Sequence, residues 1–100
     1  MSEFIIASSW LSRIRGLFFR KGYKGHLILV PCNDIHTYGM RREIDVAFLS
    51  HEGIILSTFL RVKPGSRLYC RDAYAVVERF SKDDCWYKEG TKLKIKTFNT

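Results

Sequence analysis

The sequence predicts an α+β domain that is mainly antiparallel β: a small curled sheet or barrel of five to seven short strands with one short N-terminal helix. Three observations lead there. Of the 100 residues, 46% are apolar and 14% aromatic, enough to close one modest core and too few for a second, so residues 1–100 read as a single domain. The apolar residues come in short runs bounded by Gly, Pro, Ser and Asn, which is the pattern of strands. Helical spacing of apolar side chains is found near the front of the chain and not as the repeated helix-strand alternation of nucleotide-binding folds.

The elements follow in order. "FIIA" is a short strand. Ser8 or Ser9 can then cap a helix whose apolar positions are Trp10, Leu11, Ile14, Leu17 and Phe18, with Gly16 shortening or distorting it. "HLILVP" reads as a buried strand ended by Pro31, because proline has no amide hydrogen to give a ladder. From Glu43 the period changes to two, with Ile44, Val46 and Phe48 on one side and Asp45, Ala47 and Leu49 on the other. Ser50 to Gly53 supplies a turn and "IILSTFLRV" a partner strand, making a hairpin. An irregular loop, "KPGSRLYCRD", precedes a further strand, "AYAVVERF". The polar "SKDDCWYKEG" allows a turn or a single helical turn, and "TKLKIKTF" closes the chain as a strand with one basic face.

Bulk properties narrow the function classes. The longest apolar runs are far shorter than the roughly 20 residues a helical membrane span needs, and the opening residues lack the pattern of a secretory signal, so a cytoplasmic location is expected. Three cysteines, Cys32, Cys70 and Cys85, none at a two-residue spacing, suggest reduced thiols rather than a disulfide frame. A formal charge of +7 favours attraction to polyanions but says nothing of chemistry.

The densest chemistry lies in "CNDIHTYGMRREIDVAFL". Cys32 and His36 are four apart, which in an extended segment puts both on one face, and Cys70 or Cys85 could complete a zinc set. Structural zinc sites normally carry close cysteine pairs; without them, a buried thiol and a hydrogen-bonded histidine are the plainer reading, and neither metal nor cofactor is expected. A cysteine nucleophile activated by His36 is a second option that spacing alone does not support. Asp45 is more telling. A carboxylate inside an apolar strand costs free energy unless it is paired, so it needs partners: the His36 imidazole, the Thr37 hydroxyl, Arg41 or backbone amides. A tie between His36 and Asp45 that shapes the intervening segment is the expectation. Met40 reads as a core filler. Arg13, Arg15, Arg20, Lys21 and Lys24, with Phe18, Phe19 and Tyr23 between them, make a basic stretch whose arginines are candidate anion binders, although a solvated charged surface is the simpler account.

These residues resemble a known family. "RIRGLFFR" and "CNDIHTYGMRREIDVAFLSHEGII" are similar to the early and central signatures of the small prokaryotic proteins grouped as the domain of unknown function 192 family. The central match is carried by Ile35, His36, Thr37, Met40, Arg41, Ile44, Asp45, Val46, Phe48, Leu49 and Gly53. Pro64 and Glu78 fit that family's loop proline and the glutamate of its next apolar strand. Arg42 and Glu43 stand where Phe-Pro is usual, and Gly90-Thr91 replaces a Gly-Asp. The resemblance implies a mainly β domain without an established activity, and an accessory role near pilus or secretion systems, beside whose genes some relatives are encoded.

Three functional readings follow. The first is a binding domain for a ligand or a protein partner, using the cluster around His36, Thr37, Met40, Arg41 and Asp45 with the Pro64 loop as rim, in a chain that is a monomer or dimer. The second is a small enzyme in which His36 is acid or base, Asp45 its orienter and Arg41 the holder of an anionic substrate. The third is nucleic-acid binding through the basic 13–24 segment.

Overall fold

The computed structural model describes residues 4–7 and 25–93. Seven strands run through them: β1 Phe4–Ala7, β2 His26–Leu29, β3 Asp34–His36, β4 Ile44–Leu49, β5 Ile55–Val62, β6 Arg67–Tyr69 and β7 Ala75–Phe80. Five form one sheet in the order β1-β2-β7-β4-β5, while β3 and β6 pair as a separate ribbon. β1 lies parallel to β2; every other pairing is antiparallel.

β4 and β7 hold the middle of the sheet, and all their residues are buried. Their period-two alternation therefore separates two cores rather than a core from solvent. One face carries Leu27, Leu29, Ile44, Val46, Phe48, Val76 and Phe80. The opposite face carries Ile28, Val30, Ala47, Leu49, Ile55, Ala75 and Val77. The ribbon lies over the first face, since the directly paired Ile35 and Leu68 both pack against its cluster. The second face is covered by Tyr74 and by the chain that follows β7, through Trp86, Tyr87 and Leu93.

The expected hairpin is present as β4-turn-β5. Gly53 adopts φ 84°, a conformation that glycine reaches without steric cost, and its amide donates to the Ser50 carbonyl at 3.0 Å. Tertiary pairing added what local pattern did not show. The segment read as an irregular loop contains β6, whose three residues find their ladder with β3.

The expected fold class is corrected. The described residues are all-β and contain no helix, so the α+β class does not hold for them; the anticipated helix over Trp10–Phe18 lies outside the described residues. Of the two alternatives for the polar segment after β7, the turn is the one realised, at Glu89 and Gly90; before it the chain follows an irregular path along which Arg79 holds the carbonyls of Asp84 and Cys85. Among the described residues the larger sheet is open, with β1 and β5 at its two ends, so they form a sheet rather than a barrel. Of the predicted final strand, Lys92 forms a bridge to Ile54 and Leu93 donates to the Gly53 carbonyl at 2.8 Å; its remainder lies outside the described residues.

Candidate functional site

Asp45 sits in the middle of the sheet and is 1% exposed. Its place is set by a β-bulge: Ile44 pairs with Val62 and Val46 with Phe59, so Leu60 and Arg61 together oppose Asp45. Arg61 takes the left-handed conformation at φ 54°, and its displaced amide donates to Asp45 Oδ1 at 3.0 Å. The Ser81 hydroxyl donates to the same oxygen at 2.8 Å. Arg79 Nε donates to Oδ2 at 2.8 Å, as the register dictates, since Asp45 and Arg79 are direct partners between β4 and β7. Burial pushes the Asp45 carboxyl up, but the Arg61 amide, the Arg79 guanidinium and the Ser81 hydroxyl outweigh it and hold the group below the usual carboxylate range.

Each nitrogen of Arg79 is engaged. Beyond Asp45 it donates to the carbonyls of Cys85 at 3.0 Å and Asp84 at 3.1 Å, and its guanidinium lies 4.6 Å from the Trp86 ring centroid. Next to it on the same face, His26 pairs through Nδ1 with the Tyr87 hydroxyl at 2.8 Å and meets Trp86 and Tyr87 edge-on. Burial, with the Arg79 and Lys82 charges, lowers the His26 imidazole to about 4, so it is neutral at physiological pH. Burial raises the Tyr87 phenol to about 12. The first face holds a different group: Glu78, 5% exposed, flanked by Leu27 and Val46, whose carboxyl burial pushes up to about 7.

The expected tie between His36 and Asp45 is not made. None of the Asp45 hydrogen bonds goes to the imidazole. His36 is exposed on the ribbon and stacks on Tyr38, ring centroids 4.8 Å apart. The physical reason is the pleat: β4 carries Asp45 into the sheet, where Arg79 on the adjoining strand is its cross-strand neighbour, whereas β3 turns His36 to the ribbon's outer surface. Of the alternatives weighed for Asp45, a backbone amide is used, that of Arg61.

Thr37 does bring two expected features together. Its hydroxyl donates to the Lys63 carbonyl at 2.8 Å and accepts from the Ser66 amide at 2.8 Å, while its carbonyl accepts from Gly65 at 3.1 Å. The Pro64 loop is thus fastened to the ribbon beside His36. Met40 packs against the first-face core, and Arg41 is exposed. Arg13, Arg15 and Arg20 lie outside the described residues. His36, Arg41 and Asp45 are not gathered around one reacting group: His36 and Arg41 are exposed, and the buried carboxylate that would orient the imidazole is engaged by Arg79, Ser81 and the Arg61 amide.

The outer face of the ribbon is where exposed chemistry gathers. Asp34 opposes Tyr69 and His36 opposes Arg67, so these four share one side, and Tyr38 continues it through its stack on His36. Arg67 grips Asp34 with two nitrogens, at 3.1 and 2.5 Å, and this hydrogen bonding holds the Asp34 carboxyl below its usual range. Tyr38 is 55% and Tyr69 59% exposed. Among the described residues no three His, Cys, Asp or Glu side chains group closely enough to hold a metal ion, and no helix is long and apolar enough to cross a membrane.

The residues missed from sequence are Arg79, Ser81, His26 and Trp86 around Asp45, and Arg67 with Tyr69 on the ribbon. A signal for the first existed. "AVVERF" carries an arginine next to Glu78 inside an apolar strand, as "IDVAFL" carries an aspartate, and a cation and an anion set into buried strands are natural partners. For the second there was none, because a three-residue strand has no periodicity to read.

No family model matches the chain and no curated protein matches it. Its fold is found in solved structures. One is a protein of unknown function from Novosphingobium aromaticivorans, with TM-score 0.70 and 16% identity over 80% of this chain. Another is a candidate transcription regulator from Sinorhizobium meliloti, with TM-score 0.69 and 16% identity over 78% of this chain. The chain spans 64% of the first and 67% of the second. At this identity the likeness is one of fold.

Proposed function

We propose that this chain is a small non-catalytic binding domain whose contact surface is the outer face of the β3-β6 ribbon, and that its partner is a protein. The observation that carries the reading is the exposure of Tyr38 and Tyr69 on a rigid ribbon that also presents His36 and Arg67. Tyrosine and arginine are the side chains that most often dominate binding energy at protein interfaces. Their cost of ordering is low here. The inner side of the ribbon is packed into the core, the Asp34 carboxylate holds the Arg67 guanidinium in place, and Thr37 fastens the neighbouring loop.

The family resemblance drawn from the central signature fits this account and is proposed with it. Its strand positions are core residues, Gly53 serves a turn, Thr37 fastens a loop and Asp45 clamps a bulge. On that reading the signature specifies a scaffold, and the accessory role that the resemblance implies would be exercised through the ribbon.

A photo-crosslinking amino acid placed at Tyr69, in cells that naturally carry the protein, is expected to yield a discrete protease-sensitive product. Arg67→Glu should abolish it, and the same probe at Glu52, on the far hairpin turn, should give none. Equal labelling at both positions, or a product sensitive to nuclease rather than protease, would overturn the proposal.

A further inference from the structure

Beyond the ribbon's outer face, its base holds two thiols. The chain passes into the ribbon through Cys32 and Asn33 and leaves it through Cys70. Three backbone hydrogen bonds close this junction: Cys70 N–H donates to the Asn33 carbonyl at 2.9 Å, Cys32 N–H to the Tyr74 carbonyl at 2.8 Å, and Ala73 N–H to the Cys70 carbonyl at 3.0 Å. Cys70 is therefore paired with the residue adjoining Cys32. In a straight strand that one-position offset would send the two side chains to opposite sides. Here the chain bends at Asn33, and both thiols pack against the same first-face cluster, half-buried. Cys85, the third thiol, is exposed and lies on the segment beyond β7.

We propose that Cys32 and Cys70 form a reversible disulfide that staples the base of the ribbon. A disulfide needs Cα atoms within roughly 7 Å and side chains turned toward one another; the Cys70–Asn33 hydrogen bond sets the Cys70 backbone one residue away from Cys32, and the Cys32 thiol, which donates to the Asp34 carbonyl at 3.4 Å, turns from that carbonyl to Cys70 when the disulfide forms. The oxidant is a small-molecule disulfide of the glutathione class. One cysteine thiolate attacks it, forming a mixed disulfide and releasing one small thiol; the second thiolate then attacks the protein sulfur of that bond, releasing the other. The protein gives up two electrons and two protons, and the small disulfide becomes two thiols. In a reducing compartment such a bond is transient, which makes it a device for stiffening the ribbon under oxidising conditions. The proposal does not depend on what the ribbon binds.

The test uses the full chain carrying Cys85→Ser, incubated folded with oxidised glutathione. The expected product is a monomer lighter by two hydrogen atoms, with a peptide linking positions 32 and 70, restored by a dithiol reductant. Amide exchange at Ile35 and Leu68 should slow in the oxidised form, because a staple at the base suppresses local opening. Cys32→Ser in the same background should instead stop at a glutathione adduct on Cys70. Stable adducts on both cysteines of the Cys85→Ser protein, or disulfide-linked dimers in place of the internal bond, would overturn the proposal, as would an internal bond that forms only in denaturant.

Discussion

The two faces of the central sheet bury charge in opposite ways. On one, Asp45 and Arg79 are nearly inaccessible but fully engaged, with each other and with Ser81, the Arg61 amide and two carbonyls. On the other, the Glu78 carboxyl lies between Leu27 and Val46, and no charge among the described residues draws it toward ionisation. Adjacent positions on one strand thus carry a satisfied cation and an acid that burial favours as neutral. The difference shows that burial alone does not set the state of an ionisable group; the register of the neighbouring strand does, by deciding what stands opposite.

The largest effect should come from breaking the satisfied pair. Asp45→Ala leaves Arg79 buried with its charge uncompensated and the bulge amide of Arg61 without its acceptor. Removing one partner of a buried pair typically costs about 3–5 kcal/mol, measured here by urea denaturation. Asp45→Asn, which keeps shape and the capacity to accept the Arg61 amide, should cost less. If the alanine variant were as stable as the parent, the claim that this network organises the sheet would fall.

On the opposite face the corresponding substitution should stabilise. The Glu78 carboxyl titrates near 7 when folded, against an ordinary value of 4.5, so the folded protein holds this proton where the unfolded chain has lost it. Stability therefore declines as pH rises from 4.5 to 7, and the full penalty applies above 7. At 1.36 kcal/mol per unit this amounts to roughly 3 kcal/mol. Glu78→Gln, neutral at every pH, is expected to unfold at higher temperature than the parent at pH 8 and at nearly the same temperature at pH 4.5. His26 pulls the other way: its imidazole is held at about 4, against 6.5, so stability is lost as pH falls from 6.5 toward 4. In the parent the two slopes oppose each other over the interval they share. The Glu78→Gln protein should expose the histidine slope there, and adding His26→Gln should flatten it. A Glu78→Gln melting curve that parallels the parent at every pH would refute this account.

How much of this was legible in the sequence differs along the same lines. β2, β4, β5 and β7 are apolar runs long enough to show their period, and the Ser50–Gly53 turn announces its hairpin. That Asp45 needs partners was also readable, since a charge within "IDVAFL" has no other explanation. Which partners it takes was not, because the answer depends on β7 pairing with β4 in one register and on a bulge that brings the Arg61 amide inward. Both are long-range outcomes of packing. His36 looked like the natural partner only because it was close in sequence. β3 and β6 stayed hidden for a related reason: three residues acquire strand geometry from the ladder they join, and neither would be extended on its own account.

The two faces meet at one place, the end of β5, and this permits the most discriminating though smallest test. Asp45 grips the Arg61 amide from the second face, and two residues later the Lys63 carbonyl accepts from Thr37, which fastens the ribbon over the first. Thr37→Val keeps the shape of a 2% exposed side chain but strands the Ser66 amide and leaves the Lys63 carbonyl with the Ser66 hydroxyl as its remaining donor, costing about 1–3 kcal/mol. Because both grips act on one short stretch of backbone around the left-handed Arg61, loosening either should let the other relax. The Asp45→Asn, Thr37→Val pair is therefore expected to deviate from additivity by at least about 0.5 kcal/mol, whereas His26→Gln with Thr37→Val should add within that margin. Additivity in both cycles would mean that the bulge isolates the faces, and that the ribbon's rigidity owes nothing to the buried pair behind it.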